Sequence, residues 1–461
     1  MEYREFIASK HLRVQRTGFD VDESQINGRL FDWQRKVVKW AVNVGRAALF
    51  EECGLGKTIQ QLEWAKLVHQ HTSEPVLLLC PLAVQWQTIA ERLKFEIDAE
   101  SKIVETQADC IKGINVSNYE KLHHFDAKRF AGVVLDESSV LKSFTGSTKR
   151  QLCEDFAETP FKLACTATPA PNDRMELGNH AEFLGVMPSN EMLARWFIND
   201  GAKVGSYRLC KHAETDFWRW MASWSMCLSS PADIGFDATG YTLPPLNMHD
   251  HIIASKPFDG CLFVGSETIS ATEVHKEKRA ALTERADCAA GLVNGDSDCW
   301  IVWCDTDYEA DALIARIPDA IEVRGSHPAS VKSSRLRDFA EERARVLITK
   351  AELAGFGMNF QHCHKTTWFA GYSYEKWHQA IRRLWRFGQT MPVDVHVIRT
   401  EREESIVDAV NGKGQSHAEM AREMARLMSS GMLEELNQSR KLETYDAAKR
   451  IALPSWIKSK A

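Results

Sequence analysis

The chain has 461 residues, room for two or three domains of ordinary size. Hydrophobic residues make up 44% and charged residues 26%, the balance of a globular protein with ample core, and no apolar run approaches the roughly 20 residues that span a bilayer. A net charge of −6 excludes coating of nucleic acid by bulk attraction, so any such contact has to come from local basic surfaces.

The N-terminal stretch "MEYREFIASKHLRVQR" has neither an apolar core nor a cleavage signature, and it does not read as a secretory signal. Cytoplasmic residence without a membrane partner is the expectation. The 12 cysteines are scattered and form no Cys-x-x-Cys pair. Cys299 and Cys304 share one apparent strand, and "QHCHK" at 361–365 has no second ligand cluster nearby, so reduced, mostly buried thiols are expected rather than a zinc site.

After an extension over 1–20, short apolar β-rich runs alternate with helical patterns. The first batch is "AALF" (47–50), "PVLLLCP" (75–81), "INVSNY" (114–119), "GVVLDE" (132–137) and "KLACTA" (162–167), which places a first lobe over 21–186. Runs of this kind suit strands buried on both faces of a parallel sheet, with segments such as "TIQQLEWAKLVHQH" as crossover helices. Residues 187–247 change character: "FWRWMASWSMCLSS" (217–230) reads as helix and "DATGYTLPPLN" (237–247) as a linker, together a short helical insertion between lobes. A second batch, "WIVWCD" (300–305), "AIEVRG" (320–325), "RVLITK" (345–350), "TTWFAG" (366–371) and "VDVHVIR" (393–399), marks a second lobe over 248–402. A helical tail occupies 403–461.

Chemistry enters with "ALFEECGLGKTIQ" (48–60). A strand, a turn containing Gly54 and Gly56, and Lys57-Thr58 opening a helix form the context of a phosphate-binding loop, whose N–H groups and helix N-terminus attract anions. Lys57 is expected on the β- and γ-phosphates and Thr58 on Mg²⁺. "VVLDESS" then puts Asp136 and Glu137 at a strand end, where a metal-binding Asp, reaching the ion directly or through water, and a water-activating Glu belong. "CTATPAPN" sets Thr166 and Thr168 in a polar turn. In "HQAIRRLWRFGQ", Gln379, Arg383 and Arg386 stand at i, i+4 and i+7, so one helix face would present two arginine fingers.

These pieces, with "AGFGMNF" (354–360), occur in the order of helicase superfamily two, with its DEAD/DEAH-box kind of ATPase motor. The final motif most closely resembles the Swi/Snf-type branch, and "LFDWQRKVVKWA" (30–41), "CPLAVQWQTIAE" (80–91), "SNYEKL" (117–122) and "LPP" (243–245) agree with it. Members commonly carry an acidic pair ahead of the Gly-x-Gly-Lys-Thr ending, which Glu51-Glu52 resembles. The resemblance implies an α/β fold of two RecA-like lobes, each a mostly parallel sheet flanked by helices. It also implies that Gln34 recognises adenine, that Gln379 lies near the γ-phosphate, and that Gly355 sits in a nucleotide-facing motif of the second lobe. Arg383 and Arg386 would complete the ATP site across the cleft, and Thr166 and Thr168 would couple nucleotide state to lobe movement.

Departures are visible too. Ser138-Ser139 stand where many relatives have Ala-His, "MCLSSPADIG" (226–235) replaces a basic run, and the region between lobes is short for the branch. The chain resembles a stripped-down motor of the kind carried by bacteria, phages or mobile elements, at work in a bacterial cell or a phage-infected host. Candidate nucleic-acid contacts are Gln85, Trp86, Ser117, Asn118, Lys142 and the "GSHPASVKSSR" segment with Ser326. The implied activity is nucleic-acid-stimulated ATP hydrolysis with Mg²⁺, driving translocation on duplex or branched DNA by a monomer, with replication or recombination proteins as the partner class. A strand-separating DNA or RNA helicase and a catalytically idle nucleic-acid-binding platform are the alternatives.

Overall fold

A computed structural model describes residues 14, 16–142, 146–170, 173–199, 207–254, 271–354, 359–369, 371 and 373–437. Gly355 lies outside the described residues. Two parallel sheets, of seven and six strands, organise the described residues into two α/β lobes.

The first sheet contains β1 (Arg46–Glu51), β2 (Val76–Leu79), β3 (Ser101–Ile103), β4 (Ile114–Ser117), β5 (Gly132–Asp136), β6 (Phe161–Thr166) and β9 (Ser225–Leu228). Their order is β3-β4-β2-β5-β6-β1-β9, and every pairing is parallel. All residues of β2, β5 and β6 are buried, as continuous apolar runs covered by helices on both faces should be. Because β5, β6 and β1 are neighbours, the register sets Asp136 opposite Cys165 and Phe50 opposite Thr166. Three loops therefore leave the sheet side by side at the carboxyl ends of the strands, where open α/β sheets bind ligands.

Residues 225–228 differ from the expectation of an insertion between the lobes: β9 pairs with β1 and closes one edge of the first sheet. The aromatic helix before it, Glu214–Ala222, buries Phe217, Trp218 and Trp220 in the first lobe's core, with Trp224 beyond its end. Burial of these large rings outweighs any use of them as an exposed stacking surface. A separate two-stranded antiparallel ribbon, β7 (Phe197–Asn199) with β8 (Tyr207–Leu209), precedes that helix.

The second sheet contains β10 (Leu246–Ile253), β11 (Trp300–Cys304), β12 (Ala320–Val323), β13 (Val346–Lys350), β14 (Lys365–Phe369) and β15 (Val393–Thr400), in the order β10-β15-β14-β11-β13-β12, again all parallel. The segment between the sheets touches both lobes. Trp33 donates its indole N–H to the Tyr241 hydroxyl at 3.1 Å, Tyr241 lies 4.7 Å from the Phe387 ring, and Trp385 donates to the Pro244 carbonyl at 2.7 Å.

The last described element, the helix Glu404–Asn437, does not stay with the second lobe. Met424, Met428 and Met432, at i, i+4 and i+8, enter the core of the first lobe. Ion pairs of Arg16 with Glu435 and of Arg174 with Glu423 flank this seam. At its other end Gly414 packs against the Tyr374 ring of the second lobe. Among the described residues, no helix is long and apolar enough to cross a membrane.

Candidate active site

The phosphate loop runs from the end of β1 to the helix Lys57–Thr72. Gly54 and Gly56 adopt φ of 93° and 81°, in the left-handed region where a side chain is strained. Space forbids one as well. A Cβ on Gly56 would come within 2.5 Å of Gln34 Nε2, and one on Gly54 within 2.9 Å of the Phe387 backbone nitrogen. Gln34 is locked from both ends: its amide nitrogen donates to the Leu55 carbonyl at 2.9 Å, and its amide oxygen accepts from the Phe31 N–H at 3.0 Å. The Lys57 ammonium turns into the loop and donates to the carbonyls of Glu51 (2.7 Å) and Glu52 (3.2 Å).

Glu51 and Glu52 are adjacent but electrostatically opposite. Glu51 is fully buried and accepts a hydrogen bond from Gln60 Nε2 at 2.8 Å. Burial pushes its carboxyl up to about 7, against the opposing pull of Lys57 and Gln60. Burial raises Glu52 too, but the charges of Arg382 and His378, the Cys53 N–H and Lys57 together bring it down to about 2. Arg382 and His378 belong to the second lobe, so an acid of the phosphate loop is held by bases across the cleft.

Asp136 closes β5, buried, and accepts from Gln61 Nε2 at 2.8 Å. Burial raises its carboxyl, while the Gln61 hydrogen bond and the charges of Lys57 and Arg383 oppose the rise. Glu137 follows at φ 53°, a left-handed conformation that costs a non-glycine residue about 1 kcal/mol and turns its carboxylate out of the strand direction. The Thr166 hydroxyl donates to it at 3.5 Å and accepts from the Thr168 N–H at 3.0 Å. Ser138 has its own partner, with its hydroxyl 3.1 Å from His180 Nε2. Burial lowers His180 to about 4, so the ring stays neutral near pH 7. The serine that departs from the family's pattern thus remains tied into the core.

Arg383 and Arg386 reach this cluster from the second lobe, but not on a helix face. The helix Tyr374–Ile381 carries Gln379 in its last turn and stops before both arginines. The Arg383 carbonyl accepts from the Phe360 N–H at 3.0 Å, the Leu384 carbonyl accepts from Gln389 Nε2 at 3.2 Å, and Gly388 turns the chain at φ 90°. Beyond Ile381 these carbonyls pair with a neighbouring loop and a side chain, outside any helical ladder. The arginines lie in the turns that follow. Both guanidiniums still act electrostatically across the cleft, Arg383 toward Asp136 and Arg386 toward Cys53 and Glu91. Burial and the neighbouring Arg383 lower Arg386 to about 10, which leaves it charged at neutral pH.

The residues present fit a bound nucleotide with Mg²⁺. A glycine loop lies at a helix N-terminus with Lys57 turned inward, Lys57 and Arg383 both act on the Asp136 carboxylate, and Arg386 lies beside Arg383. Gln379 Oε1 and Thr168 Oγ1 are buried without a hydrogen-bond partner among the described residues. Thr58 and Asp136 offer the oxygen ligands that Mg²⁺ takes alongside phosphate and water. Among the described residues, no three His, Cys, Asp or Glu side chains form a group able to hold a metal by themselves.

The proposed nucleic-acid contacts fare unevenly. A cleft of about 670 Å³ opens between the lobes, with Glu137, Ser139 and Lys142 on one wall and Lys332 and Ser333 on the other. Lys142 lines it, and Ser326 is exposed in the turn ahead of the helix Ala329–Ala340. Ser117 is fully buried and donates to the Val104 carbonyl at 2.7 Å, and Asn118 caps the following turn at the Lys121 N–H, so both serve the fold. Gln85 is buried at the start of its helix. Trp86 packs against the second lobe's core with the Arg337 guanidinium 5.4 Å from its ring, a lobe-to-lobe contact. The linker's Tyr241 and the Trp86–Arg337 contact escaped sequence reading, because long-range partners leave no local pattern.

The eleven described cysteines are all free; five are buried and six partly buried, so burial is less general than expected. Residues 33–203 match the model of the SNF2-related domain. Among solved structures, the chain is similar to the Sulfolobus solfataricus SWI2/SNF2 ATPase core in complex with dsDNA, at 15% identity and a TM-score of 0.42, over 90% of this chain and 98% of that one. No curated protein matches the chain.

Proposed function

We propose that this chain, whose residues 33–203 match the model of the SNF2-related domain, is a Swi/Snf-like motor of helicase superfamily two that uses ATP to translocate along double-stranded DNA. The observation that carries the reading is the composite site: Lys57, Asp136 and Glu137 come from one lobe and Arg383 and Arg386 from the other, around the same cluster. A site divided this way is complete only when the lobes meet, so phosphate chemistry and lobe movement are coupled by construction.

In this reading the loop N–H groups and Lys57 bind the phosphates, and Gln34, held between the Phe31 N–H and the Leu55 carbonyl, recognises adenine. Glu137 orients the attacking water and takes up its proton, while Arg383 and Arg386 neutralise charge as it develops on the transferred phosphoryl group. Thr58 and Asp136 would hold Mg²⁺, which would supply positive charge against the phosphates. Thr166, bonded to Glu137 and Thr168, reports the state of the carboxylate to the next loop. Gln379 completes the pocket from the second lobe. The cleft that opens on Glu137 is where a DNA backbone would lie, read through phosphates with little base contact. Both halves of the ATP site lie in one chain, so a monomer suffices. Partners from replication or recombination and a cytoplasmic setting fit a DNA motor.

The test is the ATPase rate with no nucleic acid, single-stranded DNA, duplex DNA, forked DNA and RNA, at two salt concentrations. We expect duplex or forked DNA to stimulate at least tenfold, less so at high salt because phosphate contacts release counterions. We also expect displacement of a third strand from duplex without separation of its two strands. A rate indifferent to every nucleic acid would sink the proposal, and release of single strands would replace translocase by helicase.

A further inference from the structure

Cys299 and Cys363 meet where two central strands of the second sheet begin. β11 starts at Trp300 and β14 at Lys365, and these two residues are register partners, so each cysteine lies at the foot of one of two adjacent strands. The Cys363 Sγ lies 3.0 Å from the Cys299 carbonyl oxygen and 3.4 Å from that of Lys365. Cys363 is fully buried, whereas Cys299 is only partly so. His362 stands beside them, packed on Phe339 at 5.1 Å between ring centres. Cys299 and Cys363 with His362 would be three soft donors, yet the described residues contain no group of three arranged to hold a metal. We propose that Cys299 and Cys363 are a peroxide-reactive dithiol, with Cys299 the attacking sulfur and Cys363 the resolving one.

Electrostatics point the same way. The neighbouring Cys363 side chain brings the Cys299 thiol down to about 6; burial works against this, His362 adds to it, and Glu342 opposes it. Burial and the neighbouring thiolate hold Cys363 well above the ordinary thiol range. A partly accessible thiolate beside a buried thiol is the arrangement that redox-active pairs use. In the first step the Cys299 thiolate attacks one oxygen of hydrogen peroxide. An S–O bond forms, the O–O bond breaks, and hydroxide leaves with a sulfenic acid on Cys299. In the second, Cys363, deprotonated as it reacts, attacks that sulfur; the S–S bond forms, the S–O bond breaks, and water departs with the released proton. Two thiols and one peroxide give one disulfide and two waters. A small dithiol reverses it by exchange.

The bridge would bear on the arginine turn. Cys363 N–H donates to the Phe360 carbonyl at 2.9 Å, and Phe360 N–H in turn donates to the Arg383 carbonyl at 3.0 Å. Gln389 Nε2 donates to the carbonyls of Gln361 (2.9 Å), Cys363 (3.1 Å) and Leu384 (3.2 Å). Pinning Cys363 to the foot of β11 fixes one end of that chain.

The test treats the full chain at pH 7 with a few equivalents of hydrogen peroxide, blocks free thiols and maps peptides by mass spectrometry. We expect a Cys299–Cys363 linked pair, two hydrogens lighter than the separate peptides, that disappears with dithiothreitol. In Cys363→Ser, a sulfenic acid on Cys299 is expected to be trapped by dimedone. Alkylation of Cys299 in the unmodified chain should level off above about pH 7, whereas an ordinary thiol keeps accelerating past its pKa of roughly 8.5. That readout needs no variant to fold and no ATPase activity, so its failure is separable from failure of the motor assignment. Faster oxidation of Cys53 or Cys210, or passage of Cys299 to sulfinic acid without a disulfide in the unmodified chain, would overturn the proposal.

Discussion

Glu52 in the phosphate loop and Arg382 in the second lobe face each other across the cleft, with carboxylate and guanidinium 3.3 Å apart. Their side chains are 22% and 15% exposed, so the pair is shielded but not sealed. His378 adds a second base, its Nε2 3.9 Å from the same carboxylate. The contact joins the nucleotide loop to the segment that delivers both arginines, and it acts as a latch on the closed arrangement. For Glu52→Gln, Arg382→Ala and the double change, ATPase kcat/KM should give a coupling energy of about 1 kcal/mol, roughly fivefold in rate. Additive effects would show that the pair does not matter to turnover. Because Glu52 is brought down to about 2, the latch holds throughout the range above roughly pH 4.5 and fails only as pH falls from there toward 2.

Glu137→Gln should reduce ATP turnover at least a hundredfold while nucleotide binding, followed by a fluorescent analogue, changes less than threefold. The amide keeps the side chain's shape and its contact with Thr166 but cannot accept a proton. Turnover within a factor of three of the parent would remove Glu137 from its role.

Arg383→Ala and Arg386→Ala should each cost about 10²- to 10³-fold in kcat, the order of magnitude of an arginine finger, with a small change in nucleotide affinity. Stopped single-turnover assays separate the two effects. Loss of binding alone would recast the arginines as ground-state contacts.

Glu51 gives a pH signature. Its carboxyl lies at about 7 in the folded chain and near 4.5 when unfolded, so between these values the folded form holds a proton that the unfolded form has released. Stability therefore falls as pH rises through that window, by roughly 3 kcal/mol once above pH 7. Glu51→Gln should match the parent near pH 4.5 and exceed it by about 1–3 kcal/mol at pH 8 in urea unfolding. An equal difference at both pH values would assign the effect to packing.

Met428 is fully buried between the terminal helix and the first lobe. Met428→Ala should destabilise by about 2–4 kcal/mol, through lost transfer free energy and the cavity left behind. Gly431 tests the same seam from the other side, since a Cβ there would lie 2.9 Å from the Ala222 Cβ. Gly431→Val should then lower the unfolding midpoint too, whereas an unchanged midpoint in both variants would mean that the seam opens freely.

The strands that hold the site were legible because each is an unbroken apolar run, as in "VLLL" and "GVVLD", and burial on both faces demands that composition. The phosphate loop and the Asp136-Glu137 pair were legible because their chemistry depends on neighbours in sequence. β9 was not: "SMCL" is four residues long, begins with serine and follows a run of tryptophans that dominates any local reading. The arginine segment reads as helix because the spacing of Gln379, Arg383 and Arg386 satisfies helical periodicity, while the chain leaves the helix after Ile381 and the Arg383 carbonyl pairs with Phe360, which is distant in the chain. Met424, Met428 and Met432 announce a buried stripe, but a period reveals that a face is covered without naming what covers it.

That stripe bears on the order in which the molecule can be finished. A ribosome releases β1 to β9 as residues 46–228, yet part of the core they enclose is supplied by methionines some 200 residues later. Until the second lobe has emerged and the terminal helix has swung back, the nascent first lobe carries an uncovered apolar strip beside β9. Its last packing step is thus also its longest-range one, the kind of contact that forms slowly and leaves intermediates open to aggregation.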